Sequence, residues 1–144
     1  MNPLMDSSAI KDTFVGIDLG TTYCSVAVFQ NGKAKVVEFN GKNAIPSMVF
    51  YGIPNQYGYQ AQSNRNIPEY KKNVIYDSKR MLVKSYKDLE TEIPHWTFDV
   101  ESDKDGNPLI LIDNGKNLSK IKPCEVSASI LNYIRDTCQT KYLT

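Results

Sequence analysis

The chain has 144 residues, of which 41% are apolar and 23% charged, a composition typical of one globular unit with a core of ordinary size. A formal net charge of +1, with lysines spread along the chain, argues against nucleic acid or an acidic membrane as partners. The three cysteines are widely and irregularly spaced, which fits a reducing compartment better than a disulfide framework. We therefore expect a cytoplasmic protein, with residues 1–12 as a flexible tail.

An antiparallel sheet is predicted where the ordered sequence begins. The mostly apolar residues 14–19 predict a buried strand that ends at Gly20, and the alternating β-formers of residues 24–29 predict a second strand. Asn31-Gly32 is a strong hairpin signal, and residues 35–39 predict a third strand after it. Together these segments predict a three-stranded antiparallel meander.

Shorter elements are predicted in the middle of the chain. Further strands are predicted over residues 48–51, 96–100 and 109–112. Residues 61–65 are compatible with a helical turn. Asp77 is a candidate N-cap for a short helix that runs from Ser78 toward Tyr86.

The last segment predicts the clearest helix, over residues 123–140. Pro123 suits the first helical position, and Glu125 lies in the first turn, where the helix dipole is positive. The apolar stripe of this helix consists of Val126, Ile130, Ile134 and Cys138, widened by Leu131.

The most specific local motif is Asp18-Leu19-Gly20-Thr21-Thr22, at the turn between the first two predicted strands. Gly20 lets the backbone approach a ligand closely, and successive N–H groups in such a turn suit phosphate oxygens. The hydroxyls of Thr21 and Thr22 add donors, and Asp18 could hold a hydrated Mg²⁺. A plain hairpin, in which Asp18 and the threonines only satisfy the turn, explains the five residues equally well.

The flanking sequence separates these two interpretations. Residues 14–52 resemble the opening of the nucleotide-binding domain of the seventy-kilodalton heat-shock chaperones. The resemblance continues, in the same order and with similar spacing, through NVIYDSKRML (73–82), HWTFDV (95–100) and PCEVSASILNYI (123–134). It therefore covers essentially everything after residue 13.

The resemblance implies an α/β fold of the actin-like ATPase (ribonuclease-H-like) type. This chain would hold an incomplete first lobe, made of the three-stranded meander and a small outer α/β subdomain. The implied division places inner-subdomain strands at 13–52, the outer subdomain at 53–122 and a helix leading back to the inner subdomain at 123–144.

The resemblance also assigns roles to site residues. The phosphate contacts of the family fall on Gly20, Thr21, Thr22 and Tyr23, through backbone amides and threonine hydroxyls. Asp18 matches the acidic residue that acts on Mg²⁺ through water. Lys79 matches the lysine that reaches the γ-phosphate of ATP and is needed for hydrolysis. Without the resemblance, Lys79 and Arg80 would be interpreted as a solvated helix face.

Three departures from the family pattern indicate a divergent member. Tyr23-Cys24-Ser25 stands where the family usually has Tyr-Ser-Cys. Val83 stands where the family has a glycine, and Gly58 is followed by Tyr59 rather than by Asp.

The implied function is that of an ATP-binding chaperone in protein folding and the response to stress. Its implied ligands are ATP or ADP with Mg²⁺, and its implied partners are unfolded polypeptides, J-domain co-chaperones and nucleotide exchange factors. Because no second Asp-x-Gly-x-Thr motif occurs, we expect an N-terminal fragment that hydrolyses ATP poorly alone. A non-enzymatic interaction module or truncated product that binds co-chaperones is the main alternative. Another actin-like-fold kinase fits less well, because the resemblance extends outside the loop.

Overall fold

The predicted meander is present in the structure, a computed structural model that describes residues 13–142. Strands β1 (Phe14–Leu19), β2 (Tyr23–Gln30) and β3 (Lys33–Val36) lie in that order, and all pairs are antiparallel. Asn31 and Gly32 both have positive φ, as a two-residue hairpin turn requires. A short strand, β4 (Ile45–Pro46), pairs with the start of β2 and makes this a four-stranded sheet. The predicted tail at residues 1–12 lies outside the described residues.

Strand β3 begins and ends earlier than predicted. It stops at Val36 rather than Phe39, because the chain beyond it turns back and Phe39 pairs with Lys42 in an isolated bridge. Val37 still donates its N–H to the Val26 carbonyl at 2.9 Å.

The prediction that β1 is buried is wrong. Phe14 is 61% exposed, and Val15 and Ile17 are 38% and 39% exposed. The physical reason is that β1 pairs with β2 along one edge, and no other strand within residues 13–142 pairs with its second edge. The inward residues of β2, in contrast, are buried in the main core.

Two further antiparallel sheets follow along the chain. The first has the order β6 (Gln56–Tyr57), β5 (Val49–Phe50), β7 (Val74–Ile75). The second has the order β10 (Leu118–Ile121), β9 (Pro108–Asp113), β8 (Val100–Ser102). The strands predicted over residues 48–51 and 109–112 are therefore confirmed. Strands β4, β6, β7 and β10 were not predicted.

The strand predicted over residues 96–100 is largely wrong, because β8 begins only at Val100. The residues before Val100 make other contacts instead of pairing with a neighbouring strand. Thr97 donates its N–H to the Tyr76 hydroxyl at 3.1 Å, and the Trp96 ring stacks on Phe98 with centroids 5.3 Å apart.

The long C-terminal helix is confirmed as α3 (Pro123–Tyr142). Its buried side includes the predicted Val126, Ile130, Ile134 and Cys138, which join the main core. Leu131 is at the margin of this stripe and is exposed. Within residues 13–142, no helix combines the length and apolar character needed to cross a membrane.

Two short helices precede it, α1 (Tyr59–Asn64) and α2 (Ser78–Met81). The prediction that α2 runs toward Tyr86 is wrong, because Leu82 is extended and Val83 has a φ of 60°. The prediction that the Asp77 side chain caps α2 is also wrong. Asp77 has left-handed backbone angles, and its carboxylate accepts a hydrogen bond from the Trp96 indole at 3.2 Å.

Candidate functional site

The loop between β1 and β2, residues 20–22, has a backbone that admits only glycine at its first position. A Cβ placed on Gly20 would lie 2.1 Å from the carbonyl oxygen of Tyr23. Real Cβ atoms do not approach backbone oxygen this closely, so any side chain would force the turn open. The glycine of the motif is thus explained by the close approach of the chain to itself.

Two carbonyl groups of this loop are held by one residue from a distant segment. The Ser47 hydroxyl donates to the Gly20 carbonyl at 2.8 Å, and the Ser47 N–H donates to the Thr22 carbonyl at 2.9 Å. Ser47 reaches the loop because β4, directly before it, pairs with the start of β2. The loop is therefore clamped to the body of the protein through its carbonyl side.

The clamp leaves backbone donors facing away from Ser47. In a trans peptide the C=O and N–H point in opposite directions, so the N–H groups of Thr21 and Tyr23 point away from the clamping residue. The N–H groups of Thr21 and Thr22 have no protein acceptor within residues 13–142. Fixed, unsatisfied N–H groups in a tight turn form a concave site for anionic oxygens.

Lys79 lies directly at the loop, although it is 60 positions further along the chain. Its ammonium donates to the Leu19 carbonyl at 2.7 Å. The helix that carries it is anchored by the buried Ser78 and Met81. An ammonium group has three donors, so two remain for a ligand while Leu19 is bound. Lys79 and Arg80 are both exposed on α2. Arg80 lies 4.0 Å from the Asp77 carboxylate, whereas Lys79 contacts the carbonyl at the end of β1.

Asp18 lies at the exposed end of β1, opposite Ser25 in β2. Its charge and that of Lys79 both act on the Cys24 thiol behind the loop. Burial is the main cause that raises the pKa of this thiol, the charge of Asp18 also raises it, and the charge of Lys79 lowers it. A carboxylate and an ammonium therefore lie close to the same loop.

The described residues contain no group of three or more His, Cys, Asp or Glu side chains that could enclose a metal ion. A single carboxylate suits an ion that keeps most of its own water, as Mg²⁺ does in phosphate sites. Asp18 and the loop thus fit the Mg²⁺–phosphate pair that the resemblance implies.

The structure brings the predicted site residues together on one surface. Asp18, the loop, Tyr23 and Lys79 are all contributed by β1, β2 and α2. Ser47 was missed as a site residue, because the sequence around it predicts only a break before a strand. The pairing of β4 with β2 is the signal that reveals it, and two residues are too short a strand to predict. Grooves of about 540 and 620 Å³ lie elsewhere on the protein and include none of these residues.

Comparison with known proteins shows which family the sequence matches. A family model described as Hsp70 protein matches residues 14–144. The chain is 28% identical over 132 residues to the heat shock cognate HSP70 protein of Trypanosoma brucei brucei, a match that covers 90% of this chain and 19% of that protein. It is 30% identical over 128 residues to the heat shock 70 kDa protein of Emericella nidulans, covering 87% of this chain and 20% of that protein.

A bacterial relative is similar to a comparable degree. The chain is 35% identical over 121 residues to the chaperone protein HscA of Pectobacterium carotovorum subsp. carotovorum, covering 82% of this chain and 18% of that protein. The chain spans about a fifth of the length of these curated relatives.

Proposed function

The chain belongs to the Hsp70 family, and on this premise we propose that its β1–β2 loop binds the phosphate groups of ATP or ADP. The observation that carries the proposal is the clamp on the loop. Ser47 holds the Gly20 and Thr22 carbonyls, and this fixes on the other side the Thr21 N–H, which has no protein acceptor within residues 13–142. Donors fixed before the ligand arrives do not have to reorganise when it binds.

Each site residue has a defined part in this proposal. The Thr21 and Thr22 hydroxyls and the N–H groups of the loop and Tyr23 donate to phosphate oxygens. The Lys79 ammonium, already at the loop, supplies a fixed positive charge toward the γ-phosphate. Asp18 accepts hydrogen bonds from the water around Mg²⁺, which would neutralise phosphate charge when bound with the nucleotide.

The wider function is that of an ATP-dependent chaperone. By family membership, the protein would act on unfolded polypeptides together with J-domain co-chaperones and nucleotide exchange factors. The cytoplasmic location expected from the sequence is part of this proposal. The inner and outer subdomains would divide near residue 52, although β5 pairs with β6 and β7 across that point. We further propose that residues 1–144 alone bind nucleotide without appreciable steady-state hydrolysis, because they supply one phosphate loop and no second Asp-x-Gly-x-Thr motif.

Calorimetric titration of the chain with Mg-ATP tests the proposal. Lys79→Ala removes a charge-assisted hydrogen bond, so we expect the dissociation constant to rise by about 10- to 100-fold. Lys72→Ala is the matched control. Lys72 is also an exposed lysine in an ion pair, with Asp99 at 3.0 Å, and its loss should leave binding unchanged.

The Mg²⁺ role has its own readout in the same titration. Asp18→Asn should weaken binding of Mg-ATP but not of ATP in the presence of a chelator. Equal effects of Lys79→Ala and Lys72→Ala would contradict the proposal. A folded chain that binds no nucleotide at all would favour the non-enzymatic interaction module.

A further inference from the structure

Two residues outside the phosphate contacts form a buried hydrogen-bonded chain behind the loop. Ser47 is 5% exposed and Cys24 is fully buried. The Cys24 sulfur lies 3.1 Å from the Ser47 hydroxyl oxygen, and that hydroxyl lies 2.8 Å from the Gly20 carbonyl oxygen. The three groups thus form a continuous line from the core to the loop.

The Gly20 carbonyl determines which group donates in each of these hydrogen bonds. A carbonyl oxygen can only accept, so the Ser47 hydroxyl must give its one proton to Gly20. The bond between Cys24 and Ser47 must then be donated by the thiol. A thiolate could not make this bond, and burial, which raises the pKa of Cys24, keeps the thiol protonated.

The hydrogen-bonded series ends at the Gly20–Thr21 peptide unit, whose N–H faces the proposed ligand. The Gly20 carbonyl and the Thr21 N–H belong to the same peptide unit and point in opposite directions. A hydrogen bond accepted by the carbonyl therefore orients the Thr21 N–H and withdraws electrons from it. Linked hydrogen bonds strengthen one another in this way.

We propose that Ser47 is a positioning residue for phosphate binding. Through the Gly20–Thr21 peptide it aims and polarises the Thr21 N–H, and the Cys24 thiol holds the Ser47 hydroxyl in the required orientation. This inference rests on the proposed phosphate site. The affinity of the site then depends on the side chains of Ser47 and Cys24, neither of which contacts the ligand.

The position of Cys24 supports the inference. The family resemblance places a serine at this position, and a serine hydroxyl can donate the same hydrogen bond. Cys24→Ser should therefore keep both hydrogen bonds, whereas Cys24→Ala should remove the hydrogen bond to the Ser47 hydroxyl.

The test compares Ser47→Ala with Ser63→Ala in the full 144-residue chain. Both serines donate their hydroxyl to a backbone carbonyl at 2.8 Å, but Ser63 bonds to Gln60 within α1, away from the loop. With inorganic pyrophosphate as the probe, Ser47→Ala should raise the dissociation constant about five- to tenfold, and Ser63→Ala should not change it. Cys24→Ala should show part of the loss, and Cys24→Ser should match the unmodified chain.

A second readout needs no ligand. The amide ¹⁵N chemical shift of Thr21 should move to lower frequency in Ser47→Ala, because the preceding carbonyl loses its hydrogen bond. Thermal unfolding checks that each variant is folded. An unchanged Thr21 shift, or equal effects of Cys24→Ser and Cys24→Ala on that shift, would overturn the inference. If the unmodified chain does not bind pyrophosphate, the proposed function fails, and the Thr21 shift still decides whether the positioning chain exists.

Discussion

A close backbone contact at one residue and left-handed backbone angles at two others are particular to this chain. Gly20 is required by a close approach of the loop to Tyr23, and only the absence of a Cβ permits it. Left-handed angles occur at Asp77, directly before the helix that carries Lys79, and at Val83, two residues after that helix ends. A β-branched residue is rarely found in this region, because its side chain collides with the following carbonyl. Val83 therefore stores strain close to the proposed site.

Replacing Val83 by glycine should stabilise the protein. Val83 is fully exposed, so removal of its side chain loses no packing, and glycine adopts a φ of 60° without strain. We expect Val83→Gly to raise the free energy of unfolding by about 0.5–1 kcal/mol in urea denaturation, after glycine's own entropic cost is included. Val36→Gly is the matched control, because Val36 is an exposed valine in the regular strand β3, and its replacement should lower stability. A loss of stability in Val83→Gly would show that the valine is not strained.

Tyr51 predicts a pH dependence at high pH. Burial raises the pKa of Tyr51 to about 12 from its ordinary value of 10.0. The Ser129 hydroxyl opposes this change, yet the Tyr51 hydroxyl has no partner with hydrogen-bond geometry among the described residues. The folded state thus favours the neutral phenol. The contribution of Tyr51 to stability should be constant below about pH 10 and should decline between pH 10 and 12, where this tyrosine ionises first in the unfolded chain.

Tyr51→Phe tests this pH dependence. The variant should lose less stability than the unmodified chain between pH 10 and 12, with a difference that approaches about 2–3 kcal/mol. Urea denaturation across this range measures it. Tyr70→Phe removes an exposed tyrosine hydroxyl and should show no such difference. Identical pH profiles for Tyr51→Phe and the unmodified chain would contradict the interpretation.

At the scale of elements, the sequence predicted those with a repeated pattern. Helix α3 has an apolar residue every four positions, and β2 alternates over eight residues, so both periods could be detected. Strands β4, β6 and β7 have two residues each, which is too short for a pattern to recur. They exist because neighbouring strands pair with them, and pairing partners are not visible in a local pattern.

The failures at β1 and α2 have different physical causes. Strand β1 has the apolar composition of a buried strand, but burial depends on which neighbours cover it. Helix α2 ends early because Val83 takes left-handed angles, which are rare for valine and thus not expected from sequence.

The candidate site was predictable in part. The β1–β2 loop follows from its own motif, whereas Lys79 was identified only through the family resemblance. Ser47 required the structure, because it meets the loop through the pairing of β4 with β2.

At the scale of the whole molecule, the four-stranded sheet has two different faces. The face with Val26 and Val28 packs into the main core. The opposite face exposes Phe14 and Phe29, which are paired across β1 and β2, and Val36, which is paired with Ala27. The proposed site lies at the end of this sheet, where β1 and β2 meet the helix that carries Lys79. Its residues are thus positioned by tertiary pairing rather than by one continuous segment.

Titration of the ¹⁵N-labelled chain with Mg-ADP, followed by amide chemical shifts, tests the phosphate site most directly. Gly20→Ala should abolish the response, because its Cβ would lie 2.1 Å from the Tyr23 carbonyl oxygen. Gly16→Ala in the preceding strand β1 is the control, since its Cβ would meet no atom closer than 3.9 Å. We predict that the first and largest shifts occur at Thr21, Thr22 and Tyr23, and that they persist in Gly16→Ala. Shifts confined to other parts of the chain, or equal responses in the two glycine variants, would contradict the assignment of this loop as the phosphate site.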